Sequence, residues 1–297
     1  MSDTAVRSPW KNEFRFCGIE RVPGRLPLSR APSIFVPVRW GSPATWFSLF
    51  AALLFGIAYV DKTLNASGGD WRTASREPIG LAPLPSDEPE AVVQVYAARA
   101  VRWRGLFGVH TWIAVKPANA DAYTVYEVNG WRLRRTGTAV VVSDRAPDSR
   151  WFGNAPELIA DLRGPAAAAA IPKIEQAVAA YPYADSYRVW PGPNSNTFVA
   201  YVLRAAPEVE ADLPPTAIGK DYLGTSLFAR SPSGTGVQAS LLGVLGVLVG
   251  VEEGLEVNLL GLTFGVDPLD LAVKLPLAGR IGWPHDPRLD PPEESHD

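Results

Sequence analysis

An uncharged apolar segment near the N-terminus is the strongest constraint on the fold of this chain of 297 residues. It runs from Ala44 to Val60, and its 17 residues reach the short end of the length that an α-helix needs to cross a bilayer. Trp46 and Tyr59 stand near its two ends, where interfacial aromatic side chains are typical. We therefore expect one transmembrane helix over residues 43–61, acting as an uncleaved signal anchor.

Charge on either side of this segment predicts its orientation. Residues 1–60 hold seven Lys or Arg against three Asp or Glu, all of them before the apolar stretch. Because basic residues stay on the cytoplasmic side, we expect a basic cytoplasmic arm over residues 1–42 and an exported main domain. A cleaved signal peptide and a buried core helix are the alternatives, although the arm is longer than the usual n-region of a signal peptide.

The rest of the chain is expected to form a linker, one domain and a tail. Residues 62–89 are rich in proline and glycine, which is typical of a linker. The folded domain is predicted over residues 90–284, with a disordered tail over residues 285–297 that is rich in proline and acidic residues. At 47% hydrophobic and 20% charged residues, the chain has enough apolar material to bury a sizeable core.

Short β-rich segments dominate the first half of the predicted domain. Strands are expected over residues 91–97, 108–116, 123–128 and 138–142. Their connections are too short for helical crossovers, which favours an antiparallel sheet. Helices are predicted over residues 155–162 and 166–180, followed by a buried helix over residues 198–204. The predicted fold class is therefore α+β, an antiparallel sheet with packed helices, preceded by the transmembrane helix.

A glycine-rich region over residues 236–282 has two interpretations. The apolar stretch from Leu241 to Val251 contains glycines, and small residues four apart can mark the interface of a membrane helix. The apolar run is only about 11 residues long, however, and residues 255–259 alternate like a strand. We favour a glycine-rich hairpin packed on the domain, with a second membrane span as the alternative.

The scarcity of cysteine and histidine excludes several classes of site. Cys17 is the single cysteine and precedes the apolar segment, which excludes intrachain disulfides and a cysteine nucleophile in the main domain. The histidines are His110, His285 and His296, so a zinc site has no support and we expect neither metal nor cofactor. After residue 60 the chain has 21 basic and 28 acidic residues, and nucleic acid is therefore not expected as a partner.

Ser195 is the candidate nucleophile. The segment Pro191-Gly192-Pro193 precedes it and ends the preceding element, while the residues that follow can continue a helix. A hydroxyl at a helix N-terminus meets unpaired backbone donors and the positive end of the helix dipole, which favour an alkoxide or oxyanion. The alternative is structural, since Asn194 and Ser195 are both common helix N-cap residues.

His110 is the candidate base for this nucleophile. It lies among Val109, Trp112 and other apolar residues of a predicted strand, and a base needs only to come within hydrogen-bond reach of its nucleophile in the fold. Glu127 is the candidate to orient His110, since its strand is expected to pair with the histidine strand. A hydrogen-bonded core histidine and a solvated strand carboxylate are the alternative interpretations.

These segments resemble known families. A histidine on an early strand, a carboxylate on the next and a nucleophile opening a later helix are similar to circularly permuted papain-like hydrolases, which include relatives of NlpC-type cell-wall amidases and of lecithin:retinol acyltransferase. The segment Asn194-Ser195-Asn196 has serine where that family has cysteine. The motifs GVHTWIAVK and WPGPNSNTF resemble, more closely, an uncharacterised bacterial family of membrane-anchored proteins described as a domain of unknown function.

The resemblance implies a function at the cell envelope. A hydrolase or acyltransferase acting on an envelope amide or ester is expected, with a non-catalytic binding or scaffolding module on the same fold as the alternative. The chain is expected in the bacterial inner membrane through residues 44–60, single-pass, with its main domain periplasmic. Its ligand would be an envelope glycan, peptide or lipid.

Further residues are predicted to contact this ligand. Asn194, Asn196, Trp190 and Trp112 are the expected substrate-binding residues. Tryptophans of a β-rich domain can line a sugar groove but usually lie in the core; here they are Trp103, Trp112, Trp131, Trp151 and Trp190. Five arginines are candidates for an anion-binding patch, with a solvated strand face as the alternative: Arg102, Arg104, Arg132, Arg134 and Arg135.

Overall fold

The structure, a computed structural model, describes residues 42–65, 72–283 and 287. The predicted arm over residues 1–42 therefore lies outside the described residues except for Ser42, and the predicted tail lies outside them except for Pro287.

The apolar N-terminal segment forms a long helix, α1 (Pro43–Asn65). Its part Pro43–Val60 is long and apolar enough to cross a membrane, and no other helix in the described part of the chain is. Most of its side chains are exposed, but Leu54 and Ala58 are buried against a small cluster that contains Leu277. The expected single candidate for a membrane-spanning helix is therefore present.

A five-stranded antiparallel sheet follows, with the strand order β4-β3-β2-β1-β5. Its strands are β1 (Val92–Arg99), β2 (Val109–Lys116), β3 (Thr124–Val128), β4 (Val140–Ser143) and β5 (Pro156–Arg163). β1 is buried along its whole length and β2 along nearly all of its length, because β-branched and aromatic side chains occupy both faces of each strand. The predicted antiparallel sheet is confirmed.

One predicted element has the wrong type. Residues 155–162, expected to be a helix, form strand β5, which pairs with β1 from Val92 opposite Arg163 to Ala98 opposite Pro156. The pairing places all residues of the segment except Ala155 and the bulged Ile159 opposite a residue of β1, so tertiary context overrides a weak local preference for helix. Ile159, Ala160 and Leu162 are thereby buried.

The domain has three α-helices, of which the last two cover one face of this sheet. The helices are α2 (Gly130–Thr136), α3 (Gly164–Ala179) and α4 (Ser195–Ala205), with short 3₁₀ helices at Arg102–Leu106 and Pro207–Val209. The main core forms between the sheet and helices α3 and α4, where Ile113, Ile174 and Phe198 are fully buried. Pro172 lies inside α3 without ending it. The α+β class is confirmed.

The opposite face of the sheet is covered by irregular chain. A second core cluster there contains Tyr96 and Trp112, whose rings stack with centroids 5.7 Å apart. Asp148 accepts the backbone N–H of Leu81 at 2.7 Å, and the Tyr123 hydroxyl donates to the Pro83 carbonyl at 3.0 Å. Much of the segment interpreted as a linker therefore lies against the domain.

Residues 228–281 form a second sheet of seven antiparallel strands, arranged in the order of the chain. They are β6 (Phe228–Arg230), β7 (Gly236–Leu241), β8 (Leu245–Gly250), β9 (Gly254–Leu259), β10 (Leu262–Asp267), β11 (Ala272–Leu275) and β12 (Gly279–Ile281). The glycine-rich region 236–282 is therefore β-structure, and the alternative of a second membrane helix there is wrong. Gly236 shows one use of glycine: an added Cβ would lie 2.1 Å from the carbonyl oxygen of Val249 on the paired strand.

The inward face of this second sheet is polar and charged. The Lys274 ammonium lies 3.0 Å from Glu256 and 2.6 Å from Asp212, while Lys220 lies 2.7 Å from the other oxygen of Glu256. These four side chains are all nearly or fully buried. Because buried charges need partners, the ion-pair network fixes the second sheet on the segment that follows α4.

Candidate functional site

The start of α4 is held by an asparagine cap. The side-chain oxygen of Asn194 accepts the N–H groups of Asn196 at 3.0 Å and Thr197 at 3.1 Å, and the Thr197 hydroxyl accepts the N–H of Asn194 at 3.2 Å. This is a capping box, so Asn194 is the N-cap and Ser195 is the first helical residue. The N–H of Ser195 is not part of this network and, at the first helical position, has no acceptor within the helix.

Hydrogen bonds attach the first turn of α4 to β2. The Asn196 amide donates to the Val109 carbonyl at 3.2 Å. The Thr111 hydroxyl contacts the Ser195 carbonyl at 3.3 Å and the side-chain oxygen of Asn196 at 3.0 Å. Since Val109 and Thr111 are the neighbours of His110 in β2, Ser195 is fixed beside the histidine strand.

His110 and Glu127 form a buried pair. The His110 Nε2 atom lies 3.1 Å from Glu127 Oε2, and each side chain is only 6–7% exposed. Arg145 Nη2 approaches the same carboxylate oxygen at 3.5 Å. The pairing of β2 with β3 brings the two residues together, which is the arrangement expected for a histidine oriented by a carboxylate.

The environment favours neutral His110 and ionised Glu127. Burial lowers the pKa of His110, and it outweighs the opposing effect of the Glu127 carboxylate. Burial alone would raise the pKa of Glu127, but the hydrogen bond with His110 and the nearby Arg145 charge lower it below its ordinary value. A neutral imidazole beside a carboxylate donates its Nε2–H to it, so Nδ1 carries the free lone pair.

Ser195 and His110 do not touch directly. Side chains alternate along a strand, so His110 and Thr111 point to opposite faces of the first sheet, and Thr111 faces α4. Within the described residues no hydrogen bond joins Ser195 to His110, and the Ser195 side chain lies near the Tyr187 hydroxyl. Burial raises the pKa of Tyr187, which keeps that hydroxyl protonated.

A single cavity of about 780 Å³ nevertheless contains both groups in its wall. His110 lies near the start of β2, at the end of the sheet, where the cavity spans the strand end. The predicted substrate-binding residues Asn194, Asn196 and Trp190 also line it. The Trp190 indole N–H donates to the Leu260 carbonyl at 2.9 Å.

Trp112 lies away from this cavity. It is fully buried in the second core cluster, and its indole N–H donates to the Pro147 carbonyl at 2.8 Å. The Arg145 guanidinium lies 4.7 Å from the centre of its ring. Trp112 therefore helps to hold Arg145 near Glu127 and does not line the cavity.

Other tryptophans and two arginines form the cavity wall. Trp151 stacks on the His110 ring with centroids 3.6 Å apart, and Trp131 stacks on Trp151 at 5.9 Å. Arg104 and Arg134 line the same cavity. The five arginines considered for an anion patch lie on the first 3₁₀ helix and on α2, and none lies on a strand.

The sequence gives little indication of two residues of the site. Arg145 and Tyr187 lie in irregular segments, so neither periodicity nor motif spacing relates them to His110 or Ser195. Trp151 was among the tryptophans considered for a groove, but its stacking on His110 could not be predicted because it lies at an isolated bridge. The described residues contain no group of three His, Cys, Asp or Glu that can hold a metal ion.

The family comparison covers this site. Residues 90–222 match the model of a family described as protein of unknown function (DUF3750). The matched segment contains His110, Glu127 and Ser195 and ends before the second sheet, which supports the resemblance to an uncharacterised family. No curated protein and no solved structure matches the chain.

Proposed function

We propose that the chain is a membrane-anchored hydrolase or acyltransferase of the bacterial cell envelope, acting on an amide or ester. The main support is that His110, which pairs with the buried Glu127, lies in the wall of the same cavity as the helix start that carries Ser195. In this proposal α1 crosses the inner membrane and the domain faces the periplasm.

The chemistry assigns one role to each group. The Ser195 oxygen attacks the carbonyl carbon while its proton passes to His110 Nδ1, the nitrogen not engaged by Glu127. The Ser195 N–H, at the positive end of α4, donates to the oxyanion. His110 then returns the proton to the leaving amine or alcohol. The acyl group on Ser195 passes to water in a hydrolase or to a second acceptor in a transferase.

A conformational step must precede this reaction. The Ser195 hydroxyl has to turn toward the cavity and come within hydrogen-bond reach of His110 Nδ1, with the carbonyl carbon of the substrate next to the Ser195 oxygen. Serine is intrinsically less nucleophilic than a thiolate and therefore depends strongly on its base. Ser195→Cys tests this dependence, because it restores the residue that the papain-like families have at this position.

The cavity wall restricts the substrate class. Tryptophan rings and the side chains of Leu260 and Leu262 supply apolar surface, while Arg104 and Arg134 supply positive charge. This combination suits an amphiphilic acyl compound or glycan that carries a carboxylate or phosphate group.

An activated serine can be detected without knowledge of the substrate. We expect a fluorophosphonate probe to label the full chain in detergent micelles at Ser195, as located by mass spectrometry, and Ser195→Ala and His110→Ala to abolish the label. Ser226→Ala changes an exposed serine outside the cavity and is the matched control. Absence of label on the wild-type chain and on Ser195→Cys treated with iodoacetamide, in a Cys17→Ser background, would contradict the proposal.

A non-catalytic binding module is the second candidate, and the lack of a hydrogen bond between Ser195 and His110 among the described residues favours it. In that case Ser195→Ala should leave binding to isolated peptidoglycan or to phosphatidylglycerol vesicles unchanged. Trp190→Ala should weaken that binding, because the exposed Trp190 ring lines the cavity.

A further inference from the structure

The outward face of the second sheet is apolar from β7 to β12, and Arg230 is the charged outward residue of the edge strand β6. Ten of the outward side chains of the sheet are between 44% and 67% exposed, and every one is Val, Leu or Ile. They are Val237, Leu241, Leu245, Val247, Val249, Leu255, Leu259, Val266, Val273 and Ile281. A surface of this kind on a folded domain marks a site of contact with another apolar body.

Strand register makes this apolar face continuous. Val237 lies opposite Val249, which in turn lies opposite Leu255 on the next strand. Leu255 is opposite Val266, and Val266 is opposite Val273. One row of apolar side chains therefore crosses five strands without a charged or polar residue.

The sheet is inverted relative to that of a water-soluble domain. An antiparallel sheet with one solvated face normally places its apolar residues inward and its polar residues outward. Here Gln238, Glu256 and Lys274 are buried on the inward face, while valine and leucine point outward. The pattern indicates that the outward medium is apolar.

Helix α1 shows where that medium lies. Leu54 and Ala58 pack in one cluster with Leu277, Leu262 and Leu275, which lie in or beside turns at one end of the second sheet. Leu54 precedes Val60, the last residue of the candidate span, by six positions, which is about 9 Å along a helix. If α1 crosses the bilayer, this end of the sheet lies about 9 Å below the end of the span, at the depth of Leu54. That depth is comparable to the roughly 5–10 Å by which interfacial elements enter a membrane.

We propose that the outward face of the second sheet lies in the lipid of the leaflet through which α1 leaves the membrane. The inference goes beyond the proposed function and depends on α1 as a membrane span, not on the chemistry at Ser195. Lipid acyl chains bury the apolar row, and the polar inward face stays with the protein. A second copy of the chain is the competing occupant, but it would not account for the packing of α1 on the same sheet.

The position of the cavity agrees with this arrangement. Phe107 lines the cavity, and its ring makes an edge contact with Phe55 of α1 at 5.7 Å. Leu262 belongs both to the cavity wall and to the cluster around Leu54. The cavity therefore lies next to the membrane-facing side of the domain, where an amphiphile can enter from the leaflet.

Spin labels on the apolar row test the proposal. The full chain carrying Cys17→Ser is labelled with a nitroxide at Val247→Cys or Val249→Cys and reconstituted into vesicles of phosphatidylethanolamine and phosphatidylglycerol. We expect relaxation by oxygen to exceed relaxation by a water-soluble nickel chelate at both positions. Gln176→Cys, on an exposed position of α3, is the control and should show the reverse order.

Each other result would overturn the inference. Preferential relaxation by nickel at position 247 would place the face in water, and dipolar broadening between labels would assign it to a second copy. Shielding from both reagents would assign it to another part of the chain. Should the labelled variants fold poorly, benzoylphenylalanine at position 247 gives a second test: a phospholipid adduct after irradiation supports the proposal, whereas a crosslinked dimer or no lipid adduct contradicts it.

Discussion

The Nε2 atom of His110 lies 3.1 Å from the Oε2 atom of Glu127, in a buried pair between neighbouring strands. The contact uses one ring nitrogen and leaves Nδ1 as the only basic atom of the imidazole. The direction in which His110 can accept a proton is therefore set by Glu127.

Removing the charge of Glu127 should weaken His110 as a base. Glu127→Gln keeps an acceptor for Nε2–H but removes the carboxylate that opposes the lowering of the His110 pKa. We expect the pKa of His110, measured by NMR titration, to fall further, and labelling of Ser195 by fluorophosphonate to slow on the order of 100-fold. A variant with an unchanged His110 pKa and slow labelling would show that Glu127 acts only on structure.

Acidification should destabilise the protein through His110. The folded-state pKa of His110 is lowered, so the unfolded chain binds more protons in the window below about pH 6.5, and stability falls as pH drops through the folded pKa. Asp212 contributes with the opposite sign, because burial raises its pKa to about 6. The contribution of His110 is therefore measured as the difference in the free energy of unfolding between wild type and His110→Gln at each pH.

Urea unfolding of the full chain in detergent at a series of pH values provides that difference. The wild-type free energy of unfolding should fall more steeply than that of His110→Gln between about pH 6.5 and pH 5, and the two curves should run parallel above pH 7.5. Parallel curves over the whole range would show that His110 titrates alike in the folded and unfolded states.

Loss of Lys274 should be far more costly than loss of an exposed lysine. Lys274→Met leaves Glu256 and Asp212 buried with one cation fewer, and we expect a loss of about 3–5 kcal/mol in the free energy of unfolding. Lys173→Met breaks an exposed pair with Glu208 of similar length, 2.7 Å, and should cost no more than about 1 kcal/mol. Equal losses would mean that the buried network contributes no more than a surface pair.

The Asn194 cap should be stronger than a typical helix cap. Its side chain caps α4 and also donates to the carbonyls of Val189 and Ile218, at 3.1 and 2.9 Å. Asn194→Ala should therefore cost more than the roughly 1 kcal/mol of an ordinary cap. Asn129→Ala, which removes the cap of α2, is the matched comparison. Thermal unfolding of both variants shows which substitution lowers stability more. A larger loss of stability for Asn129→Ala than for Asn194→Ala would contradict this prediction.

The parts of the fold that follow from local pattern could be predicted from the sequence. Prolines before Ser195 correctly marked a helix start, and the β-rich segments correctly indicated an antiparallel sheet. The error at residues 155–162 arose because only the pairing with β1, distant in sequence, decides between helix and strand there.

Long-range packing explains what was missed at the site. Trp112 was expected to contact substrate, but the face of β2 that carries it is covered by chain from two other segments. Tyr187 lines the same cavity as Ser195 and belongs to an irregular segment, so no periodicity of the sequence predicts its position. The polar inward face of the second sheet was also unexpected. Polar and apolar residues alternate along its strands, and this alternation is the same whether the polar or the apolar face points toward the protein.

The ion pair between Lys220 and Glu256 affects how the chain unfolds. The family match ends at residue 222, yet Lys220 pairs with Glu256 of the second sheet. A chain truncated after residue 222 would keep Lys220 and Asp212 without their partners Glu256 and Lys274, and the isolated sheet would keep only the Glu256–Lys274 pair of this network. Neither part of the chain contains the complete network of buried ion pairs. The two sheets should therefore unfold in one cooperative transition, although the family match ends between them.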